Sequence, residues 1–124
     1  MNEKLFEFLA PDFSCSDDRG FLYQLCRDGW KQVNVSKTVA GTFRGGHYHK
    51  ETREAFFIVD GEISAVLEKS DKVERMVFKK GDFFVINPYV LHSFTFNKDT
   101  VMVALYDNGV EKNDGTKDIF KKGE

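Results

Sequence analysis

The sequence predicts an all-β fold, a single-domain sandwich or barrel of about eight or nine short antiparallel strands. Short runs with strand alternation recur along the 124-residue chain, separated by Gly, Asp and Asn turn residues. No stretch sustains a helical period of apolar residues. Thirteen phenylalanines stand among the 124 residues, and such side chains favour strands and bury large apolar areas, so the expected core is aromatic.

Taken in order, residues 3–9, EKLFEFL, suit either one amphipathic turn or an edge strand, and Pro11 stops any continuation beyond Ala10. After the turn-like SCSDDRG come FLYQLC (21–26), Asp28-Gly29 as a hairpin signal and WKQVNVS (30–36), where Val33 and Val35 alternate with polar residues. Together these read as a hairpin. TVAGTF (38–43) is a further short strand, and Arg44-Gly45-Gly46 lets the backbone kink before His47-Tyr48-His49. EAFFIVD (54–60) and EISAVLE (62–68) flank Asp60-Gly61, a second hairpin signal. KSDK leads into VERMVFK (73–79), and Lys80-Gly81-Asp82 turns into FFVIN (83–87). Pro88, HSFTF (92–96), Asn97-Lys98-Asp99 and VMVALY (101–106) follow. The barrel thus spans roughly 20–107, after an arm over 1–19 and before a polar tail over 108–124 that Ile119 and Phe120 alone anchor. There is no second domain, low-complexity linker or internal repeat.

A chain of this length buries roughly 65% of its unfolded surface, enough for a core without staples. Its 41% hydrophobic and 31% charged residues fit a globular protein, and no apolar run reaches bilayer-spanning length. The net charge of −2 gives no general attraction to nucleic acid or anionic lipid. Glu3, Lys4 and Glu7 interrupt the N-terminal segment, which therefore lacks the apolar core of a secretory signal, and a cytoplasmic location is expected. Cys15 and Cys26 form no CxxC pair and are expected as free thiols, Cys26 as a small core residue.

The chemistry concentrates between Gly41 and Gly61. Positions i and i+2 of a strand share a face, so His47 and His49 point into one cavity. The third and last histidine, His92, lies in another apolar segment and joins them only if the fold brings the strands together. With Glu54 the set offers imidazole and carboxylate but no thiolate, which suits Zn, Fe, Mn, Ni or Cu without choosing among them.

The spacing Gly41-x5-His47-x-His49-x4-Glu54-x6-Gly61 resembles the first motif of the cupin superfamily at every fixed position. Gly81, Asp82 and His92 resemble the second, with departures: Asn87 stands at the usual proline, Tyr89 at the usual glycine, and Phe96 at the usual asparagine, with Asn97 one position late. The resemblance implies a jelly-roll barrel with His47, His49, Glu54 and His92 as metal ligands. Asp18-Arg19-Gly20-Phe21, Gln32-Val33-Asn34-Val35-Ser36 and Arg44-Gly45-Gly46-His47-Tyr48 are further similar to the progression in dTDP-sugar 3,5-epimerases. They also resemble cupin domains of capsular-sugar biosynthesis enzymes and the RGGHxHK segment of nucleotide-sugar 3,4-ketoisomerases.

These resemblances imply an isomerase of a nucleotide-linked 4-keto sugar, acting by proton abstraction beside the ketone in surface-polysaccharide biosynthesis, as a homodimer with neither membrane nor nucleic-acid partners. Arg44, and less directly Arg19, would contact substrate. His47 would be the base, with His49 beside it, since an imidazole of ordinary pKa near 6.5 suits removal of a proton acidified by a ketone. A tyrosine would return the proton or stabilise the enolate. Tyr89 and Tyr106 rank above Tyr48, which alternates with the histidines and points away. Two roles compete for His47, free base and metal ligand. Two other classes fit the same fold: a non-catalytic metal- or sugar-binding module, and a metal-dependent dioxygenase.

Overall fold

The structure, a computed structural model, describes residues 4–124; residues 1–3, the start of the expected arm, lie outside the described residues. In chain order the strands are β1 (Phe6–Phe8), β2 (Phe13–Asp17), β3 (Gly20–Gln24), β4 (Gln32–Thr38), β5 (Phe43–Tyr48) and β6 (Glu54–Asp60). Then come β7 (Glu62–Lys69), β8 (Lys72–Lys79), β9 (Phe83–Ile86), β10 (Leu91–Phe96), β11 (Thr100–Tyr106) and β12 (Phe120–Lys121). One five-stranded sheet has the order β1-β9-β6-β11-β4 and the other β12-β5-β10-β7-β8, while β2 and β3 form a separate ribbon. Every pairing is antiparallel. From β4 onward the chain changes sheet at each connection except the β7–β8 hairpin, which makes a jelly-roll sandwich. Among the described residues no helix is long and apolar enough to cross a membrane.

The core lies between the sheets and is aromatic. Phe78 and Phe84 stack with ring centroids 3.6 Å apart, and Phe56, Phe94, Phe96, Ile58, Ile63 and Leu67 pack around them. Burying each such side chain contributes about 1.5–3 kcal/mol. A second cluster of Ala55, Phe57, Phe83, Val85 and Leu105 sits on the outer face of the first sheet, beneath Leu9, Leu25, Cys26 and Trp30. β6 and β9 are therefore apolar on both faces.

Those two layers explain where the strand pairing departs from expectation. Within the segment expected over 3–9, of which Glu3 lies outside the described residues, Phe6–Phe8 form an edge strand, β1, paired to β9. The hairpin expected across Asp28-Gly29 does not form. β3 ends at Gln24 because Leu25, Cys26 and Trp30 are taken up covering the second cluster, and β3 pairs instead with β2 across Asp18-Arg19. The strand expected over 38–43 does not form: Thr38 ends β4, Phe43 begins β5, and residues 39–42 are the corner between them, where Gly41 has φ +87°. Asp60-Gly61 turns the chain but makes no hairpin, because β6 is already flanked by β9 and β11, so β7 crosses to the other sheet.

Gly61 itself is required at that corner. Its φ is +110°, and a Cβ would stand 2.3 Å from Thr100 Oγ1 and 2.6 Å from the Asp99 carbonyl oxygen. Gly61→Ala is expected to cost about 2–3 kcal/mol, read from the shift of a denaturant unfolding curve.

Candidate active site

A cavity of about 370 Å³ opens between the two sheets at one end, walled by β4, β5, β6, β10 and β11. Its inward face on β4 is polar, Gln32, Asn34 and Ser36, which leaves Val33 and Val35 exposed on the outside. Phe56, Phe94 and Met102 line its apolar part.

The sequence builds the histidine-bearing wall with a bulge. β5 pairs with β10 so that His47 lies opposite His92 and Gly45 opposite Ser93, leaving Gly46 as an extra residue at φ +78°. One extra residue reverses the alternation of the strand. Arg44 and His47, an odd number of residues apart, thereby both line the cavity. Gly45 is tied to the same device, since a Cβ there would lie 2.6 Å from the His92 carbonyl oxygen.

All three histidines meet, as the sequence reading expects. The ring of His47 lies 4.7 Å from that of His92 and 5.5 Å from that of His49, and one nitrogen from each ring falls within 4.8 Å of the others. Glu54 enters from the opposite sheet. Its Oε1 is 3.0 Å from His49 Nε2 and 3.3 Å from His92 Nε2, with all three side chains buried. On their far sides, His49 Nδ1 donates to the Asp118 carbonyl at 2.6 Å and His92 Nδ1 donates to the Val90 carbonyl at 3.2 Å.

A carbonyl oxygen only accepts, so each of these Nδ1 atoms carries its hydrogen. Unprotonated Nε2 atoms would then turn two lone pairs on a carboxylate. Such an acceptor cluster is stable only with positive charge inside it, either protons on the Nε2 atoms or a cation. The donor set therefore fits a divalent ion: Nδ1–H bonds to carbonyls are the outer contacts that orient metal-binding imidazoles.

The electrostatics separate His47 from the others. Burial, aided by the neighbouring His92, lowers its pKa to about 4, so it is neutral at physiological pH. For His49 burial acts in the same direction, but the hydrogen bond and charge of Glu54 outweigh it and raise the pKa above the ordinary value. Burial likewise opposes the Glu54 carboxylate, yet the hydrogen bonds from His49 and His92 hold its pKa well below the usual carboxylate range. The arrangement is a His47 imidazole of lowered pKa beside a hydrogen-bonded His49–Glu54–His92 cluster, all four lining the same cavity.

The remaining expected residues divide. Tyr106, opposite Glu54 on β11, lines the cavity; burial and the Glu54 charge push its hydroxyl far up, so it stays protonated and suited to donate. Tyr89 does not line it. It is 53% exposed at φ +68° and stacks on Tyr48, which itself donates to the Glu124 carbonyl. The positive φ that a turn demands after Asn87-Pro88 takes Tyr89 out to solvent. Arg44 lines the cavity and donates to Thr38 Oγ1 at 3.1 Å. Arg19 does not reach it and forms an exposed ion pair with Asp17 across the β2–β3 turn. Cys26 is partly buried, which raises its thiol pKa, so it is no nucleophile.

The C-terminal segment is a wall of the site rather than a loose tail. Val110, Glu111, Lys117 and Ile119 line the cavity, and β12 pairs with β5 beside His47. Asp118, 2% exposed, was not legible as a functional residue: it lies 69 residues from its partner His49 in a polar run. The only signal was the adjacent apolar pair Ile119-Phe120, which marks a point of attachment.

Residues 15–115 match the model of the polysaccharide biosynthesis C-terminal domain family. The chain is similar to the spore coat polysaccharide biosynthesis protein SpsL of Bacillus subtilis (strain 168), 27% identical, over 73% of this chain and 70% of that one. It is similar in structure to a variant of the 3,4-ketoisomerase QdtA from Thermoanaerobacterium thermosaccharolyticum in complex with TDP-4-keto-6-deoxyglucose. The TM-score is 0.80 at 16% identity, covering 98% of this chain and 90% of that one. It is also similar to the dTDP-4-dehydrorhamnose 3,5-epimerase from Sulfolobus tokodaii, with TM-score 0.66, 21% identity and coverage of 83% and 75%. At such identities these likenesses establish the cupin-like fold.

Proposed function

The chain belongs to the polysaccharide biosynthesis C-terminal domain family, and from that premise we propose that it is an epimerase or ketoisomerase of a nucleotide-linked 4-keto sugar. The observation that carries this reading is the placement of His47 on the cavity wall, with Arg44 on the same face and Tyr106 across the cavity. The 4-keto sugar nucleotide named for the QdtA complex supports the substrate class. The family name and the SpsL likeness support a place in surface-polysaccharide sugar synthesis.

In this mechanism His47 takes the proton from the carbon beside the ketone, and the electron pair moves onto the keto oxygen to give an enediolate. For ketoisomerisation, the neighbouring hydroxyl proton passes between the two oxygens and the former carbonyl carbon is reprotonated. For epimerisation the first carbon is reprotonated on its opposite face by a second acid, the Tyr106 hydroxyl across the cavity, and His47 gives up its proton to solvent. Tyr106, which stays protonated, donates to the enediolate oxygen. His49 shares the cavity wall with His47, their rings 5.5 Å apart. Arg44 meets the anionic nucleotide portion, as a guanidinium suits phosphate oxygens.

His49, Glu54 and His92, with His47 as a fourth ligand, would hold a divalent ion, which when bound supplies Lewis-acid polarisation of the keto oxygen. Elemental analysis of the purified protein separates the two roles of His47. Metal-free protein with full turnover assigns it as base, and one metal per chain required for turnover assigns it as ligand.

A homodimer fits two features. Val33 and Val35 are exposed on the edge strand β4, and the β2–β3 ribbon, joined to neither main sheet, exposes Phe13, Phe21 and Leu22. A two-stranded ribbon is marginal alone and gains from a partner. The exposed free thiol of Cys15 fits the reducing cytoplasm.

A pH prediction follows. A base with pKa about 4 is free over the whole neutral range, so kcat/KM of metal-free protein is expected to stay nearly flat from pH 7 to 5.5. An ordinary histidine would lose about tenfold over that interval. The stability sign is opposite to that of a salt-bridged histidine: the unfolded chain takes up the proton first, so stability falls as pH drops from 6.5 towards 4.

A further inference from the structure

We propose that Asp118 is a positioning residue that holds the His49 ring with Nδ1–H on the Asp118 carbonyl and Nε2 facing Glu54. Its catalytic consequence rests on the isomerase reading above. The geometry is specific to this residue. One carboxylate oxygen accepts from the Lys50 amide at 2.8 Å, and the other accepts from the Glu51 amide at 2.9 Å and from Thr52 Oγ1 at 2.8 Å. The Asp118 amide donates to the Val110 carbonyl at 2.8 Å, which fixes the peptide from the other side. The side chain and amide anchor Asp118 on one side and the β12 pairing that begins at Phe120 holds the following chain, so the Asp118 carbonyl is presented to His49 Nδ1 at 2.6 Å.

The strap that delivers it is registered by β12, where Phe120 pairs with Tyr48 and Lys121 with His47, so continuing the ladder sets Asp118 beside Lys50. The Tyr48 hydroxyl bond to the Glu124 carbonyl and the Lys50 ammonium over the Phe120 ring hold the same strap. A residue that merely tied the tail down would need the carboxylate contacts alone. Here the same residue also fixes the orientation of the His49 ring, and thereby aligns the His49–Glu54–His92 cluster that shares the cavity wall with His47.

The test uses the full chain with ¹⁵N-labelled histidine, comparing wild type, Asp118→Ala, Asp118→Asn and Thr52→Val. Wild type is expected to show His49 with a protected, protonated Nδ1. Asp118→Ala should lose that signal and lower kcat towards TDP-4-keto-6-deoxyglucose about tenfold or more, as loss of a contact orienting a histidine does, with KM within about twofold. Thr52→Val, which removes one donor to the carboxylate, should shift the same signal less, and it carries the test if the Asp118 variants do not fold. An unchanged His49 ring signal in folded Asp118→Asn and Thr52→Val overturns the proposal, as does a raised KM with unaltered kcat. The ring signal is read without substrate. A changed signal in a protein that never turns over the sugar would support the positioning role and count against the isomerase reading alone.

Discussion

His47→Ala is expected to lower kcat on a nucleotide-linked 4-keto sugar by about 10²–10⁴-fold, the usual contribution of a general base, while the protein stays folded. That factor corresponds to about 3–5 kcal/mol of barrier. The fold should tolerate the change because His47 is only partly buried and joins neither the Glu54 hydrogen bonds nor the apolar core. An unchanged melting curve with turnover lost would place His47 on the reaction path. Turnover within a fewfold of wild type would remove it from that role and leave His49, the other imidazole of the β5 pair on the cavity wall, to take the proton.

The second large effect falls on stability. Glu54 is 5% exposed and shares one oxygen between His49 and His92, so Glu54→Ala leaves two inward-turned imidazoles without their acceptor. Removing one partner of a buried ionic cluster costs about 3–5 kcal/mol, to be read from the denaturant midpoint at constant slope. The exposed Arg19–Asp17 pair is the internal contrast, since its loss should leave the midpoint where it was.

The pH behaviour of the cluster has two signs. Glu54, held low, stabilises above the unfolded carboxylate pKa, and that contribution is lost as pH falls. His49, held high, stabilises below the ordinary imidazole pKa, and that contribution is lost as pH rises past its raised value. Between those limits the wild type should gain most over Glu54→Ala.

How much of this was legible in the chain depends on which interactions are local. Alternation alone put His47 and His49 on one face, and the apolar runs of β6 to β11 marked their own strands nearly residue by residue. The strands' partners were not legible. Asp28-Gly29 and Asp60-Gly61 have the composition of hairpin turns, yet pairing was decided by which sheet edges remained free once the two apolar layers had packed. Arg44 reaches the cavity only because Gly46 bulges, a feature that Arg-Gly-Gly permits and the partner strand specifies. Tyr89 left the site through one backbone dihedral, and Asp118 entered it across 69 residues of chain. Neither is written in local pattern.

The central claim is that this cavity removes a proton beside a sugar ketone. Incubating wild-type protein with TDP-4-keto-6-deoxyglucose in D₂O and following the sugar by NMR tests it most directly. The account predicts deuterium at a ring carbon adjacent to a ketone in wild type and none with His47→Ala. A sugar that binds the folded wild-type protein yet keeps every ring proton over many multiples of the expected turnover time would contradict it.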